Sequence, residues 1–319
     1  MYYNNLYRYG EGMQEILKLR DASKAYGESI ILKHIDLTVK TGETVGVIGK
    51  NGSGKTTLLN LLCGDIRPSG GSVKVAMQDR NLKDAYRNRT MYRRFFGFGR
   101  QEPSFYTQLT VYENLSYFGS QYGLDKSILE ENISWLLESL SLAEHKEKEA
   151  KDLSGGMRKR LDIACSLVHK PNIAFFDEPT ADLDPGLRVS IWNFIDTLSD
   201  DGITVIFSTH DMKRISSICD KVLILKEGWV DRFGEPSKML KNLDSPSIIK
   251  LVIQDIDTSV VVERLDLEKK DVILKEEDSL LKIRTSNPSR IQSQLLAAVE
   301  KSSSYHLTTS QAGLEALLK

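Results

Sequence analysis

The stretch Gly49-Lys50-Asn51-Gly52-Ser53-Gly54-Lys55-Thr56 constrains this chain more than any other. It fits G-x-x-x-x-G-K-[ST] and lies between a short apolar run, Thr44–Ile48, and a helical apolar stretch, Leu58–Cys63, ended by Gly64. In that context the glycines let the backbone turn with its N–H groups facing inward as an anion nest. A helix beginning near Lys55 adds the positive end of its dipole. Lys55 then reaches the β and γ phosphates of a nucleotide, with Thr57 beside it, and the Thr56 hydroxyl is placed to hold Mg²⁺.

A strand–loop–helix of this kind belongs in a mostly parallel sheet, and the surrounding pattern supplies one. Strand-like residues run from Glu15 (Ile16, Leu17, Leu19), then Ile30–Leu32 and Ile35–Val39, and a turn at Ser69-Gly70-Gly71 precedes Val73–Met77. A helical middle covers about Val111 to Val168. Strand–helix alternation then returns: Ile173–Phe176, helix Leu187–Leu198, Thr204–Phe207, helix Met212–Ile218, Val222–Leu225. Beyond Leu240–Ser247 the order is strand Ile248–Ile253, helix Thr258–Leu265, strands Val272–Lys275 and Leu280–Arg284, helix Ser289–Glu300, strand Tyr305–Thr308 and a last helix, Ala312–Leu318. That is the β-α-β-β-α-β order of a split βαβ, ferredoxin-like module. The expected organisation is an extension at 1–14, a nucleotide-binding α/β domain at 15–240 with its helical insertion at about 111–168, and a small α+β domain at 241–319.

Composition narrows the function classes. Of 319 residues, 40% are apolar and 27% charged, and 43 Lys+Arg against 44 Asp+Glu leave a net charge of −1. Disorder is excluded, and no excess of positive charge exists to neutralise nucleic-acid phosphates, so no nucleic-acid partner is expected. No apolar run approaches the ~18–20 residues of a membrane span, and Met1–Tyr9 has no leader-like apolar segment. Cys63, Cys165 and Cys219 are too few and too far apart for a disulfide framework or a metal site. A soluble intracellular protein is expected, and the Asn-x-Ser/Thr matches at Asn51, Asn88, Asn114 and Asn132 are then chance.

Two further motifs carry chemistry. Asp177-Glu178 closes the strand Ile173–Phe176, where strand ends line the ligand crevice of a parallel sheet. Asp177 suits Mg²⁺, and Glu178 suits deprotonating an attacking water, so hydrolysis is expected. Leu153-Ser154-Gly155-Gly156-Met157 opens a helix striped with Leu161, Ala164, Cys165 and Val168. Ser154 can cap that helix, and its glycine amides form a second anion nest. One nucleotide is already held by Gly49–Thr56, so a second nest requires another anion or a second copy of the chain. A lone His such as His210, or a lone Tyr such as Tyr26 among 12, is by itself more often structural. The stretch Arg80, Lys83, Arg87, Arg89, Arg93, Arg94 and Arg100 reads as a solvated face or, alternatively, as a surface for anionic headgroups or a partner.

Taken together, these motifs resemble the nucleotide-binding subunit of an ATP-binding cassette (ABC) transporter, over roughly Ile16–Gly234. Gly49–Thr56 matches Walker A, and Gln101 in Arg100-Gln101-Glu102-Pro103 matches the Q-loop. Leu153–Met157 matches the signature, with Met where many relatives have Gln. Asp177-Glu178 matches Walker B and the catalytic Glu. Ala181-Asp182-Leu183-Asp184 matches the D-loop, with Ala181-Asp182 where Ser-Ala is common, His210 matches the switch His, and Tyr26 the aromatic that stacks on adenine. The resemblance implies two subunits, identical or homologous, packed head to tail around two ATP molecules. Each γ-phosphate would lie between Walker A of one and Ser154 and Gly156 of the other, with Gly155 and Asp184 also among the nucleotide-binding residues. His210 would contact the γ-phosphate, and Gln101 would sense Mg²⁺ and the water.

The resemblance further implies ATP hydrolysis at the cytoplasmic face of the membrane, driving separate integral membrane permease subunits. A groove between Gln101 and about Tyr122 would receive a short permease helix; its aromatics Phe105, Tyr106, Tyr112, Tyr117, Phe118 and Tyr122 could equally be helical core. Leu109–Leu115, Tyr122-Gly123-Leu124, Ser154–Leu161 and the tail Ala312–Leu317 are similar to ATPases of ABC-2-type exporters, so export is expected. The alternative is a soluble ABC ATPase of repair or iron–sulfur assembly acting on a soluble partner complex. The lack of sustained heptads argues against the repair type, and an iron–sulfur scaffold ATPase would not need the C-terminal module. Lys55→Ala is expected to weaken nucleotide binding greatly in a titration with fluorescent nucleotide.

Overall fold

The computed structural model describes residues 14–76, 81–87, 92, 94–210, 212, 214–241, 247–253, 257–268, 271–277, 279–299 and 304–311. The chain divides into two compact units, Met1–Pro236 and Ser237–Lys319.

The first unit runs β1 (Glu15–Tyr26), β2 (Ser29–Lys40), β3 (Thr44–Gly49), α1 (Lys55–Leu62), β4 (Gly70–Ala76), β5 (Leu82–Asp84) and β6 (Phe96–Gly99). Helices α2 (Val111–Ser120), α3 (Lys126–Ser139) and, after two short 3₁₀ turns, α4 (Gly155–Leu167) follow. The unit continues with β7 (Ile173–Asp177), α5 (Pro185–Asp200), β8 (Thr204–Thr209), α6 (Ile215–Ile218), β9 (Lys221–Lys226) and β10 (Trp229–Gly234). Among the described residues its strands make two sheets, one in the order β2-β1-β4-β5 and one in the order β10-β9-β3-β8-β7-β6. The first is antiparallel. The second is parallel from β9 to β6, with β10 antiparallel at its edge.

Strands β3, β7 and β8 are buried at every position, as Val-, Ile- and Phe-rich runs must be when both faces of a parallel sheet are covered. Leu58, Leu59, Leu61 and Leu62 of α1 join one core with Leu17, Leu19 and Leu32 of the antiparallel sheet and Val45, Phe175 and Ile206 of the parallel one. On the other side of the parallel sheet Trp192 of α5 packs on Phe207, with ring centroids 5.0 Å apart. The helical insertion is started by a capping box: Thr110 accepts from the Glu113 N–H while the Glu113 carboxylate accepts from the Thr110 N–H.

Several details differ from the sequence-based expectation, the short strand β5 among them. Strand β6 is absent from it, because Gly97 and Gly99 interrupt the apolar pattern. The structure needs both: a Cβ on Gly97 would meet the Ser166 carbonyl oxygen at 2.3 Å, and one on Gly99 would meet Phe176 at 2.9 Å. The helix expected over Met212–Ile218 forms over Ile215–Ile218 alone, with Met212 buried outside it. Strand β10, also unforeseen, closes the sheet beside β9. Met77, Arg80, Arg89, Arg93, the extension 1–13 and the last helix expected at Ala312–Leu318 lie outside the described residues.

After α7 (Pro236–Lys241), the second unit runs β11 (Ser247–Ile253), α8 (Thr258–Glu263), β12 (Val272–Glu277), β13 (Leu280–Thr285), α9 (Pro288–Val299) and β14 (Tyr305–Gln311). Its sheet has the order β12-β13-β11-β14, with each neighbouring pair antiparallel. Ile249, Leu251, Ile253, Leu281 and Ile283 alternate onto one face and share a core with Val261 of α8 and Ile291, Leu295 and Val299 of α9. The element order is the split βαβ expected from the pattern. A chain ending at Gly234 is expected to keep its nucleotide affinity within about threefold by calorimetric titration, ~0.7 kcal/mol at most.

Candidate active site

Parallel strands deliver their carboxyl ends to one edge, and here four neighbours do so in the order β3, β8, β7, β6. β3 leads into the glycine-rich loop, β8 into His210, β7 into Asp177 and Glu178, and β6 into Gln101. These groups line one cleft of about 610 Å³, with Tyr26 and Ile31 from the antiparallel sheet and Ala181 and Asp182 beyond β7.

The loop is built to receive an anion. Gly52 and Gly54 take left-handed backbone angles, φ 78° and 103°. Gly54 stands at the N-terminus of α1 without a side-chain cap, so the helix's first N–H groups face the cleft. Ser53 Oγ is buried with no hydrogen-bond partner, and a Cβ on Gly49 would lie 2.4 Å from it. The Lys55 ammonium, 8% exposed, donates to the Gly49 carbonyl at 3.0 Å and to the Lys50 carbonyl at 3.4 Å. Asn51, Gly52, Gly54, Lys55, Thr56 and Thr57 all line the cleft. A polyphosphate matches this donor set, its unpartnered hydroxyl included.

Opposite the loop, Ser208 organises the acid pair. Its hydroxyl donates to Asp177 Oδ1 at 2.5 Å and accepts from the Glu178 N–H at 3.0 Å. Glu178 adopts a left-handed backbone, φ 49°, a conformation that costs a non-glycine residue of order 1–3 kcal/mol. The bend turns its side chain away from the strand: Glu178 Oε2 lies 2.9 Å from His210 Nδ1, and Oε1 lies 3.9 Å from Lys55 Nζ. Asp177, the Thr56 hydroxyl and the Gln101 amide oxygen offer hard oxygen donors around the same cleft, which suits Mg²⁺ shared with phosphates. Tyr26, 51% exposed, ends β1 at the rim, with Lys24 Nζ 4.9 Å from its ring centroid. Its open ring face is available for stacking on a base.

Other candidates lie elsewhere. Ser154, Gly155, Gly156 and Asp184 are not among the cleft-lining residues. Ser154 Oγ caps α4, accepting from the Met157 N–H at 3.3 Å. Asp184 Oδ1 caps α5, accepting from the Leu187 N–H at 3.0 Å. A Cβ on Gly155 would meet nothing, whereas one on Gly156 would meet Leu187 at 2.3 Å. Gly155 therefore presents open backbone, and Gly156 lets α4 pack on α5.

The aromatics of the insertion divide. Phe105 is core, Tyr106 and Tyr117 form an exposed edge-to-face pair, and the Tyr112 hydroxyl donates to Glu130 at 2.6 Å. Phe118 and Tyr122 line a groove of about 190 Å³ beside Phe98 and Arg100. Arg100 pairs with Asp65 at 2.6 Å. The three cysteines are free and buried, and burial raises the Cys63 thiol to about 12 and pushes the Cys165 and Cys219 thiols up from their ordinary value, which disfavours the thiolate at each. Sequence reasoning missed Ser208, whose one signal is a hydroxyl beside Thr209 where the apolar run Val205–Phe207 stops.

Known proteins of one family resemble this chain. The family described as ABC transporter matches residues 32–181. The linearmycin resistance ATP-binding protein LnrL of Bacillus subtilis (strain 168) is 29% identical, over 88% of this chain and 89% of its own length. Nod factor export ATP-binding protein I of Cupriavidus pinatubonensis (strain JMP 134 / LMG 1197) is 32% identical, over 76% of this chain and 73% of its own. Among solved structures, the dimeric post-hydrolysis state of the ATP-binding cassette MJ0796 bound to ADP and Pi superposes with a TM-score of 0.62 and 29% identity, covering 69% of this chain and 98% of that one.

Asp184→Ala removes the α5 cap and is expected to cost ~1 kcal/mol, lowering the melting temperature by about 2–4 °C in a thermal scan. Asp184→Asn keeps the acceptor and should retain most of that stability.

Proposed function

The chain belongs to the ABC transporter ATP-binding proteins, and from that premise we propose that it is the motor subunit of an exporter, closing as a dimer around two ATP molecules and opening after hydrolysis. The observation that carries this reading is the convergence of the glycine-rich loop, Glu178, His210 and Gln101 from four adjacent strand ends on one cleft.

In this reading the triphosphate enters the loop 49–56, where Lys55 and the α1 amides neutralise the β and γ phosphates. The base stacks on Tyr26. Thr56, Asp177 and Gln101 would hold Mg²⁺, which when bound offsets phosphate charge. The γ-phosphate occupies the space toward Glu178 and His210, and Lys55 turns from the Glu178 carboxylate to the phosphate. Glu178 then accepts a proton from water as the water oxygen attacks the γ-phosphorus, and ADP leaves with the bridging oxygen. His210, hydrogen-bonded to Glu178, orients the carboxylate and meets the γ-phosphate.

Ser154, Gly155 and Gly156 stand away from the chain's own cleft, with Gly155 open to its surroundings. That placement supports their use on the nucleotide of a second subunit, as does the dimeric ADP- and phosphate-bound relative. Contacts made through the γ-phosphate exist before hydrolysis and vanish after it, so the two states differ in affinity for the partner. Among the described residues no helix is long and apolar enough to cross a membrane. The transport path is therefore assigned to separate permease subunits, with this chain peripheral at the cytoplasmic face. The groove lined by Phe98, Phe118 and Tyr122 is proposed to seat a permease helix. Export follows the linearmycin-resistance and Nod-factor-export relatives, matched over most of their length.

Glu178→Gln is expected to cut ATP turnover about 10²–10⁴-fold while ATP still binds, and to run as a dimer in gel filtration with Mg-ATP. Normal turnover in that variant would remove Glu178 from the mechanism. A strictly monomeric Glu178→Gln in saturating Mg-ATP, with and without permease, would remove the dimer.

A further inference from the structure

Two ions of α4 have no part in the chemistry above, yet both are buried: Lys159 is 8% exposed and Asp162 1%. Burying a charge costs several kcal/mol unless hydrogen bonds and an opposite charge offset it. Burial lowers the Lys159 pKa and raises that of Asp162; each charge partly offsets the other, and Asp177 and Glu178 further favour the ammonium. Core helix positions of this kind are ordinarily apolar.

The bonds of both ions go to one short segment. The Lys159 ammonium donates to the Arg100 carbonyl at 2.7 Å. Asp162 Oδ1 accepts from the Ser104 N–H at 2.9 Å and from the Ser104 hydroxyl at 3.2 Å. Residues three apart on a helix share a face, so one face of α4 grips the chain immediately before Gln101 and three residues after it. Between the grips Gln101, Glu102 and Pro103 are exposed, and Gln101 lines the nucleotide cleft. Just beyond, Asn114, fully buried, accepts from the Tyr106 N–H at 2.8 Å and donates to the Tyr106 carbonyl at 2.9 Å. The segment is an arch pinned at both feet. Its span carries the amide that must reach into the cleft.

We propose that Lys159 and Asp162 are positioning residues for ATP hydrolysis, an ionic clamp on the signature helix that sets where Gln101 stands over the nucleotide. The proposal rests on the reading of Gln101 as the group that meets Mg²⁺ and the attacking water. An apolar pair could hold the helix against β6 equally well. It could not satisfy the Arg100 carbonyl and the Ser104 N–H together, and the arch would then be free to shift by the ångström or so that matters for a positioned group.

The test is steady-state ATPase of the full chain, with Mg²⁺ titrated at fixed ATP, for Lys159→Met, Asp162→Ala, Asp162→Asn, Gln101→Ala and the double variant Gln101→Ala/Asp162→Ala. Lys159→Met and Asp162→Ala are expected to lower kcat about tenfold to a hundredfold, to leave KM for ATP within about twofold, and to raise the Mg²⁺ needed for half-maximal rate. Asp162→Asn keeps an acceptor oxygen and should recover part of kcat; with Lys159→Met it carries the test if Asp162→Ala does not fold. Asp162→Ala should add nothing to Gln101→Ala. Wild-type kcat and Mg²⁺ dependence in the clamp variants, or losses that multiply in the double variant, would overturn the proposal. If Gln101→Ala alone keeps full kcat, the reading of Gln101 fails instead. The clamp is then judged by hydrogen exchange: faster exchange of the Gln101, Glu102, Ser104 and Phe105 amides in Asp162→Ala sustains it, and unchanged exchange refutes it.

Discussion

One hydroxyl holds the catalytic edge in register. Ser208 Oγ sits between Asp177 and Glu178, donating to the carboxylate of the first and accepting from the N–H of the second. Register pairs Asp177 with Ser208 across β7 and β8, so the bridge exists only when both strands end level. With it, the left-handed bend at Glu178 is over-determined, and the two carboxylates face different tasks although adjacent in sequence. Asp177 stays in line with the strand, bonded to Ser208, while Glu178 swings toward Lys55 and His210. The rest of the site is arranged around that divergence.

Much of this arrangement could be read from residues alone. The strand–helix alternation and the continuous apolar character of β3, β7 and β8 report burial on both faces, which a parallel sheet requires. The glycine-rich loop was legible because its chemistry needs a fixed spacing. Strand β6 was not, although it carries Gln101 to the cleft. Its Phe-Gly-Phe-Gly pattern breaks the apolar run that marks a strand, since what selects the glycines is the Ser166 carbonyl of α4 and the Phe176 ring of β7, both distant in sequence. Long-range close approach leaves no local signature. Ser208 escaped for a related reason, because its importance lies in a neighbour 31 residues away.

Ser154 and Asp184 show a second limit. Both cap helices, and a capping residue and a residue that meets another subunit's phosphate use the same amides and the same side-chain types. Within one chain only the cap is visible. What separates the roles is exposure: Gly155 opens outward, while Gly156 is held against Leu187. The insertion aromatics divide on similar grounds, because periodicity cannot tell a ring that packs inward, like Phe105, from rings that line a groove, like Phe118 and Tyr122.

The bareness of β6 has one more consequence. A methyl on Gly97 would press on the Ser166 carbonyl, which no rotamer change can relieve, and one on Gly99 would press on Phe176. Tolerance to substitution should therefore be narrow even on a strand that bears no reactive group. Exposed loops that no such contact holds can change residue long before this ribbon can.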